Sequence, residues 1–233
     1  MAISRVDDQE NVPSGSTTSN PVPALTGVVD GDQLVHLFGL LSASATVTEP
    51  VAGLTVRGDA TSGTNLGGRI RTKTAASEPT SYTWGISTGG AVKNAAWAGA
   101  YRGLDATTPV TAASMVAGTS GTTQTTPAVD VPEGGWLVYG VVTRHAPGAA
   151  GVATWSSSAG GDTKRADAAT NAGSADITMA VWDSGGPMAA ATGVTRTLTS
   201  SLSEGNAVVF ALALKPASIT PPAAEPAPGI PIF

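Results

Sequence analysis

Two histidines, His36 and His145, and seventeen carboxylates are the side chains best suited to acid–base or metal chemistry in this sequence. There is no cysteine, so thiolate nucleophiles, disulfides and thiolate metal sites are excluded. An imidazole metal site wants two or three ligands at helical or hairpin spacing. His36 and His145 stand more than a hundred residues apart, each within or ending a strand-like segment. His36, in Leu34-Val35-His36-Leu37-Phe38, reads as a packed or edge imidazole rather than a ligand or base. A Ser-His-Asp relay needs a nucleophile elbow, and the sequence has no G-x-S-x-G. Glycoside hydrolysis needs two carboxylates flanking a cleft. Asp162, Asp167, Asp176 and Asp183 are close in sequence, but they sit beside turns or strand edges, where Asp is common for backbone reasons. Walker, Rossmann and EF-hand patterns are missing. Asp30 and Asp32 around Gly31 have carboxylates that could hold calcium, although a polar hairpin turn accounts for them. Arg57-Gly58-Asp59 spells a cell-adhesion tripeptide, too short to carry weight alone. The residues therefore predict no catalytic set, no cofactor and no metal.

Trp84, Trp97, Trp136, Trp155 and Trp182 fall in five different strand-like segments. Core packing accounts for them. The functional alternative is that one or two are exposed as stacking platforms for sugar rings, and the sequence does not select which.

Composition narrows the partners. Charged residues make up 12% of the chain, about half the usual share. The net charge is −5, whereas nucleic-acid binding wants clustered Lys and Arg. Arg69, Arg71 and Lys73 alternate as one solvated face of a strand would. The longest apolar runs, 34–41 and 207–214, are too short to span a bilayer, and residues 1–10 lack the apolar centre of a secretion signal. These features predict a soluble protein without a leader, binding neither nucleic acid nor membrane.

The positioning elements are strands. The 29 Gly and 16 Pro, with abundant Ser and Thr, disfavour helices, while 41% apolar residues argue against disorder. Strand-like segments fall at 33–42, 54–60, 67–74, 81–87, 93–102, 136–143, 152–157, 177–183, 194–199 and 207–214. Tyr82 shares a face with Trp84, and Val208 with Phe210, Leu212 and Leu214. Only 91–104 is rich enough in Ala to suggest a helix, and Gly99 and Gly103 weaken that reading. The expectation is an all-β, jelly-roll-like antiparallel β-sandwich of about ten strands over residues 25–216, with no tandem repeat and with its first and last strong strands side by side. Residues 1–24 read as an extended N-terminal arm and 217–233 as a Pro-rich, polyproline-like C-terminal arm. The latter ends in Ile230-Pro231-Ile232-Phe233. Ile230, Ile232 and Phe233 either pack back on their own domain or anchor the chain on a neighbouring subunit.

The strand series resembles a family of β-sandwich structural proteins of tailed bacteriophages. The residues that carry the likeness begin with Gly31-Asp32-Gln33-Leu34-Val35, then Lys73-Thr74-Ala75-Ala76-Ser77-Glu78-Pro79 and Ser81-Tyr82-Thr83-Trp84. Next come Ala98-Gly99-Ala100-Tyr101-Arg102-Gly103-Leu104-Asp105, Pro109-Val110, and the closing stretch from Ala207-Val208-Val209-Phe210 to Leu214-Lys215-Pro216. The resemblance spans roughly residues 28 to 216. It implies a non-enzymatic virion protein, assembled in the host cytoplasm and extracellular on release. The leading expectation is a minor tail or tail-tip component that also touches the host surface. The alternatives are a capsid decoration protein bracing head subunits and, from another class, a carbohydrate-binding module. Implied partners are tail or capsid subunits, further copies of the chain (a trimer suits an exterior jelly-roll module) and a host cell-wall glycan.

Overall fold

The described residues form seventeen antiparallel strands and hold no helix. The computed structural model describes residues 2–87, 90–146, 151–170 and 176–218. The first eight strands are β1 (Ser4–Asn11), β2 (Ser19–Pro23), β3 (Gln33–Leu40), β4 (Thr46–Thr48), β5 (Thr55–Ser62), β6 (Leu66–Thr74), β7 (Ser81–Ser87) and β8 (Asn94–Arg102). They form a five-stranded sheet in the order β1-β8-β3-β6-β5 and a three-stranded sheet in the order β2-β7-β4. First pairs with last, second with seventh and third with sixth, which is the nested wrapping of a jelly roll.

The second half repeats this plan. Its strands are β9 (Val110–Ala117), β10 (Gly121–Thr125), β11 (Val129–Val131), β12 (Trp136–His145), β13 (Trp155–Ser157), β14 (Thr163–Ala169), β15 (Ile177–Asp183), β16 (Ala191–Val194) and β17 (Thr197–Leu214). The later part of β17 pairs with β9 and β12, and β12 continues through β15 to β14. The early part of β17 pairs instead with β10 and β13. The 18-residue β17 thus serves as both the seventh and the eighth strand of a second roll. Strands β9, β10, β12, β13, β14 and β15 then stand where β1 to β6 stand in the first. β11 and β16 add a two-stranded ribbon.

The two rolls pack through their large sheets, giving four layers and three cores. The middle core takes Val35, Leu37, Ile70, Trp97 and Tyr101 from the first roll and Val138, Val142, Met179, Phe210 and Leu212 from the second. Each roll keeps an inner core of its own, one around Phe38, Tyr82 and Trp84, the other around Tyr139, Trp155 and Trp182. The central strands are therefore covered on both faces. That is why β3 and the last eight residues of β17 are buried throughout and read as unbroken apolar runs. Glycine sets the spacing in the middle layer: a Cβ on Gly39 would run into Val142, and one on Gly68 would lie 2.8 Å from the Val208 Cγ1.

The structure shows the all-β antiparallel sandwich that the pattern predicts, and corrects its details. There are two rolls, residues 4–102 and 110–214, rather than one sandwich of about ten strands over 25–216. Residues 1–24 are not a free arm: β1 pairs with β8, β2 pairs with β7, and Ile3 and Val22 are buried. The strong strands β3 and β17 are not neighbours but lie within opposite large sheets. The Ala-rich stretch is the strand β8, because its alanines pack against the inner core of the first roll. The Arg69, Arg71 and Lys73 face is not simply solvated. Arg71 is buried and paired with Glu49 and Asp59, and Lys73 pairs with Glu78.

Candidate functional site

Ion pairs tie strands to one another and to the loops beside them. Asp183, at the end of β15, accepts two hydrogen bonds from the Arg165 guanidinium on β14, at 2.6 and 2.8 Å. It also accepts one at 3.2 Å from the Tyr101 hydroxyl on β8, so the network crosses between rolls. Burial, with the Asp183 carboxylate beside it, pushes the Tyr101 phenol well above its ordinary pKa. Lys93 reaches across to the buried Asp176, and the Asn206 amide donates to the Ser62 carbonyl and hydroxyl. On β1, burial raises Asp8 against the pull of Arg5 and Arg165, and it raises Glu10 with Asp8 and Asp167 adding to the effect.

The four aspartates considered for glycosidase chemistry each have a structural partner. Asp162 accepts from Arg196 and the Tyr139 hydroxyl, Asp167 from Lys164, Asp176 from Lys93 and Thr170, and Asp183 as above. Asp32 is held by Arg102 and caps Val29. Burial would raise its pKa, but those hydrogen bonds outweigh burial and lower it. Asp30 accepts from the Ser77 amide. The 29–32 segment is thus a tied turn, and no cluster of three or more metal-ligating side chains occurs among the described residues. Arg57-Gly58-Asp59 lies along β5, with Arg57 donating to Thr72 and Asp59 bound to Arg71, not displayed on a loop.

His36 and His145 are both fully buried and in different rolls. The His36 ring meets Tyr82 edge-on at 4.8 Å, and neither of its nitrogens has a partner. Burial, with Lys73 nearby, lowers its pKa to about 3, so it is a neutral packing residue. His145 Nδ1 lies 3.0 Å from Glu204 Oε2, and the other Glu204 oxygen accepts from Ser200. No tryptophan offers an open face: all five are 6% exposed or less, with Trp84 stacked on Phe38 and Trp182 on Tyr139. The sugar-platform reading of these residues is therefore corrected to core packing.

An apolar-walled cavity lies where Ala2, the 132–135 turn and residues 215–218 come together. This cavity of about 530 Å³ is walled by Ala2, Pro132, Gly134, Pro187, Pro216 and Ala217, with Glu133 and Lys215 beside them. Its floor follows from the local sequence. The Pro132-Glu133-Gly134-Gly135 turn closes with Gly135 donating to the Pro132 carbonyl, and Gly134 takes a φ of 70° that suits glycine. Paired hydrogen bonds tie that turn to Met188. Residues 215–217 run along the linker between rolls, with Ala217 donating to Gly103 and Lys215 paired with Asp105 at 3.0 Å. Proline rings and methyl groups make the wall mostly apolar.

Compared with known proteins, the chain matches no family model and no curated protein. The expected anchor residues Ile230, Ile232 and Phe233 lie outside the described residues. Sequence reasoning located the 132–135 turn, but not the packing of Pro187 and Pro216 around it. It also missed the Tyr101–Asp183–Arg165 and His145–Glu204–Ser200 sets, in each of which one member is far from the other two in sequence.

Proposed function

We propose that this protein is a non-enzymatic structural component of a tailed bacteriophage particle, most directly a minor tail or tail-tip subunit. The supporting observation is the twin jelly-roll body, in which buried charge is used to join strands and rolls. Its charge-poor, strand-rich surface suits a packed particle exterior, and the likeness of residues 28–216 to phage sandwich proteins points the same way. Extended arms would serve a tail subunit or a head-bracing decoration protein alike. With residues 4–11 and 19–23 laid into the sheets, either role would fall to the Pro-rich segment. Adhesion to a wall glycan, if the subunit has that role, would not use an exposed tryptophan face.

The test is immunogold labelling of purified particles, with mass spectrometry to count copies. Label confined to the tail, at low copy number, is the expected result. Label following the head lattice would replace the tail reading with decoration, and absence from washed particles would overturn the virion reading altogether.

A further inference from the structure

We propose that the groove walled by Pro132, Pro187 and Pro216 receives the Ile230–Phe233 segment of a second copy of this chain. The inference rests on the assembly reading above and names a partner for it. Three observations carry it.

The first is the groove. Pyrrolidine rings and the methyls of Ala2 and Ala217 make a wall of about 530 Å³ that favours apolar side chains. Ile230, Ile232 and Phe233 are three large apolar residues within four positions. Burying such side chains against an apolar wall removes them from water and favours association.

The second is reach. The described chain stops at Ser218, on the groove itself, and Ile230 lies twelve residues further on. Pro221, Pro222, Pro226, Pro228 and Pro231 favour an extended path through this stretch. At about 3.1 Å per residue, twelve residues cover roughly 37 Å. A body of this length has a radius of gyration of roughly 17 Å. A segment of that length, if laid out extended, would reach about one body width, which suits a groove on a neighbouring copy.

The third is charge. The segment holds one charged side chain, Glu225, and the groove wall carries Lys215 and Glu133, so no run of like charge opposes docking. Exchange of segments between identical subunits places the same contact at both ends, which a symmetric oligomer requires.

The absence of native cysteine permits a direct test. Chains carrying Pro187→Cys alone and Phe233→Cys alone are mixed and oxidised, and a chain carrying both is oxidised separately at low concentration. The expected result is a disulfide-linked pair from the mixture. In sedimentation, the unsubstituted full chain should self-associate. The I232A/F233A variant should do so with a dissociation constant raised at least about tenfold, its thermal unfolding unchanged. A bridge forming only within one chain, or no bridge at all, would overturn the proposal, as would self-association that ignores the I232A/F233A change. These readouts use purified protein. A cross-link in a protein absent from particles therefore sinks the virion reading alone, whereas a particle protein without the cross-link sinks only this inference.

Discussion

Lowering the pH should unfold this protein partly through one imidazole. His36 sits in the inner core of the first roll, fully buried, beside Tyr82 and with no hydrogen-bond partner on either nitrogen. Burial and the nearby Lys73 charge hold its pKa at about 3 in the folded protein, against 6.5 for the free side chain. Between those values the unfolded chain takes up a proton that the folded chain refuses. Stability is therefore complete above pH 6.5 and is lost, at about 1.4 kcal/mol per pH unit, as the pH falls toward 3. From pH 7.5 to pH 4.5 the loss from this residue alone is about 3 kcal/mol. Other groups also contribute to the pH dependence, so the contribution of His36 must be read as a difference. His36→Phe keeps an aromatic ring against Tyr82 and removes the titration. Urea denaturation of both proteins at the two pH values supplies the four free energies. The variant should match or slightly exceed the parent at pH 7.5, because two unpartnered buried nitrogens disappear, and exceed it by about 3 kcal/mol more at pH 4.5. Parallel losses in parent and variant would refute the reasoning and show that His36 can be protonated in place.

Two further perturbations probe the layer between the rolls. Asp183→Asn removes the carboxylate that pairs with Arg165 and leaves Asp8 as its acidic neighbour, so unfolding free energy should drop by about 1–3 kcal/mol, measured by chemical denaturation. Gly39→Ala places a methyl where Val142 already stands and should cost about 1–3 kcal/mol, while Val142→Ala in the same chain should recover part of that cost. A double-mutant cycle with no coupling between positions 39 and 142 would mean that the rolls do not meet there.

Strand content was legible because alternation survives wherever one face is buried and the other is not. Tyr82 and Trp84 on β7, with exposed Thr83 between them, are such a case. The pairing of rolls was not legible, since the second copy keeps the topology and little of the sequence. Trp97 and Phe210 take equivalent places in the middle core on the last strand of each roll, yet only the alternation of small and large residues around them is shared. Fusion of the seventh and eighth strands into one continuous β17 further hides the repeat. The N-terminal strands were read as an arm because β1 is charged and β2 contains two prolines. Both compositions are compatible with edge positions, and β1 and β2 are edges. The burial of Arg71 was not legible because one of its acidic partners, Glu49, comes from the loop before β5, and alternation along β6 does not reveal that cover.

The middle layer decides how this body behaves as a building block. Contacts between separate domains of one chain are usually small and polar, and such domains move against one another. Here the face between rolls is a core, with Val35, Leu37, Ile70 and Trp97 meeting Val142, Phe210 and Leu212, all fully buried. Separating the rolls would expose those side chains together with the Tyr101–Asp183 bond and the Lys93–Asp176 pair. Neither large sheet has another cover for that face, so the two rolls are held as one unit rather than hinged. A rigid body confines adaptability to what lies outside it. In the proposed assembly, the twin roll keeps the groove walled by Pro132, Pro187 and Pro216 in a fixed place, and the cysteine exchange experiment tests whether a second copy fills it.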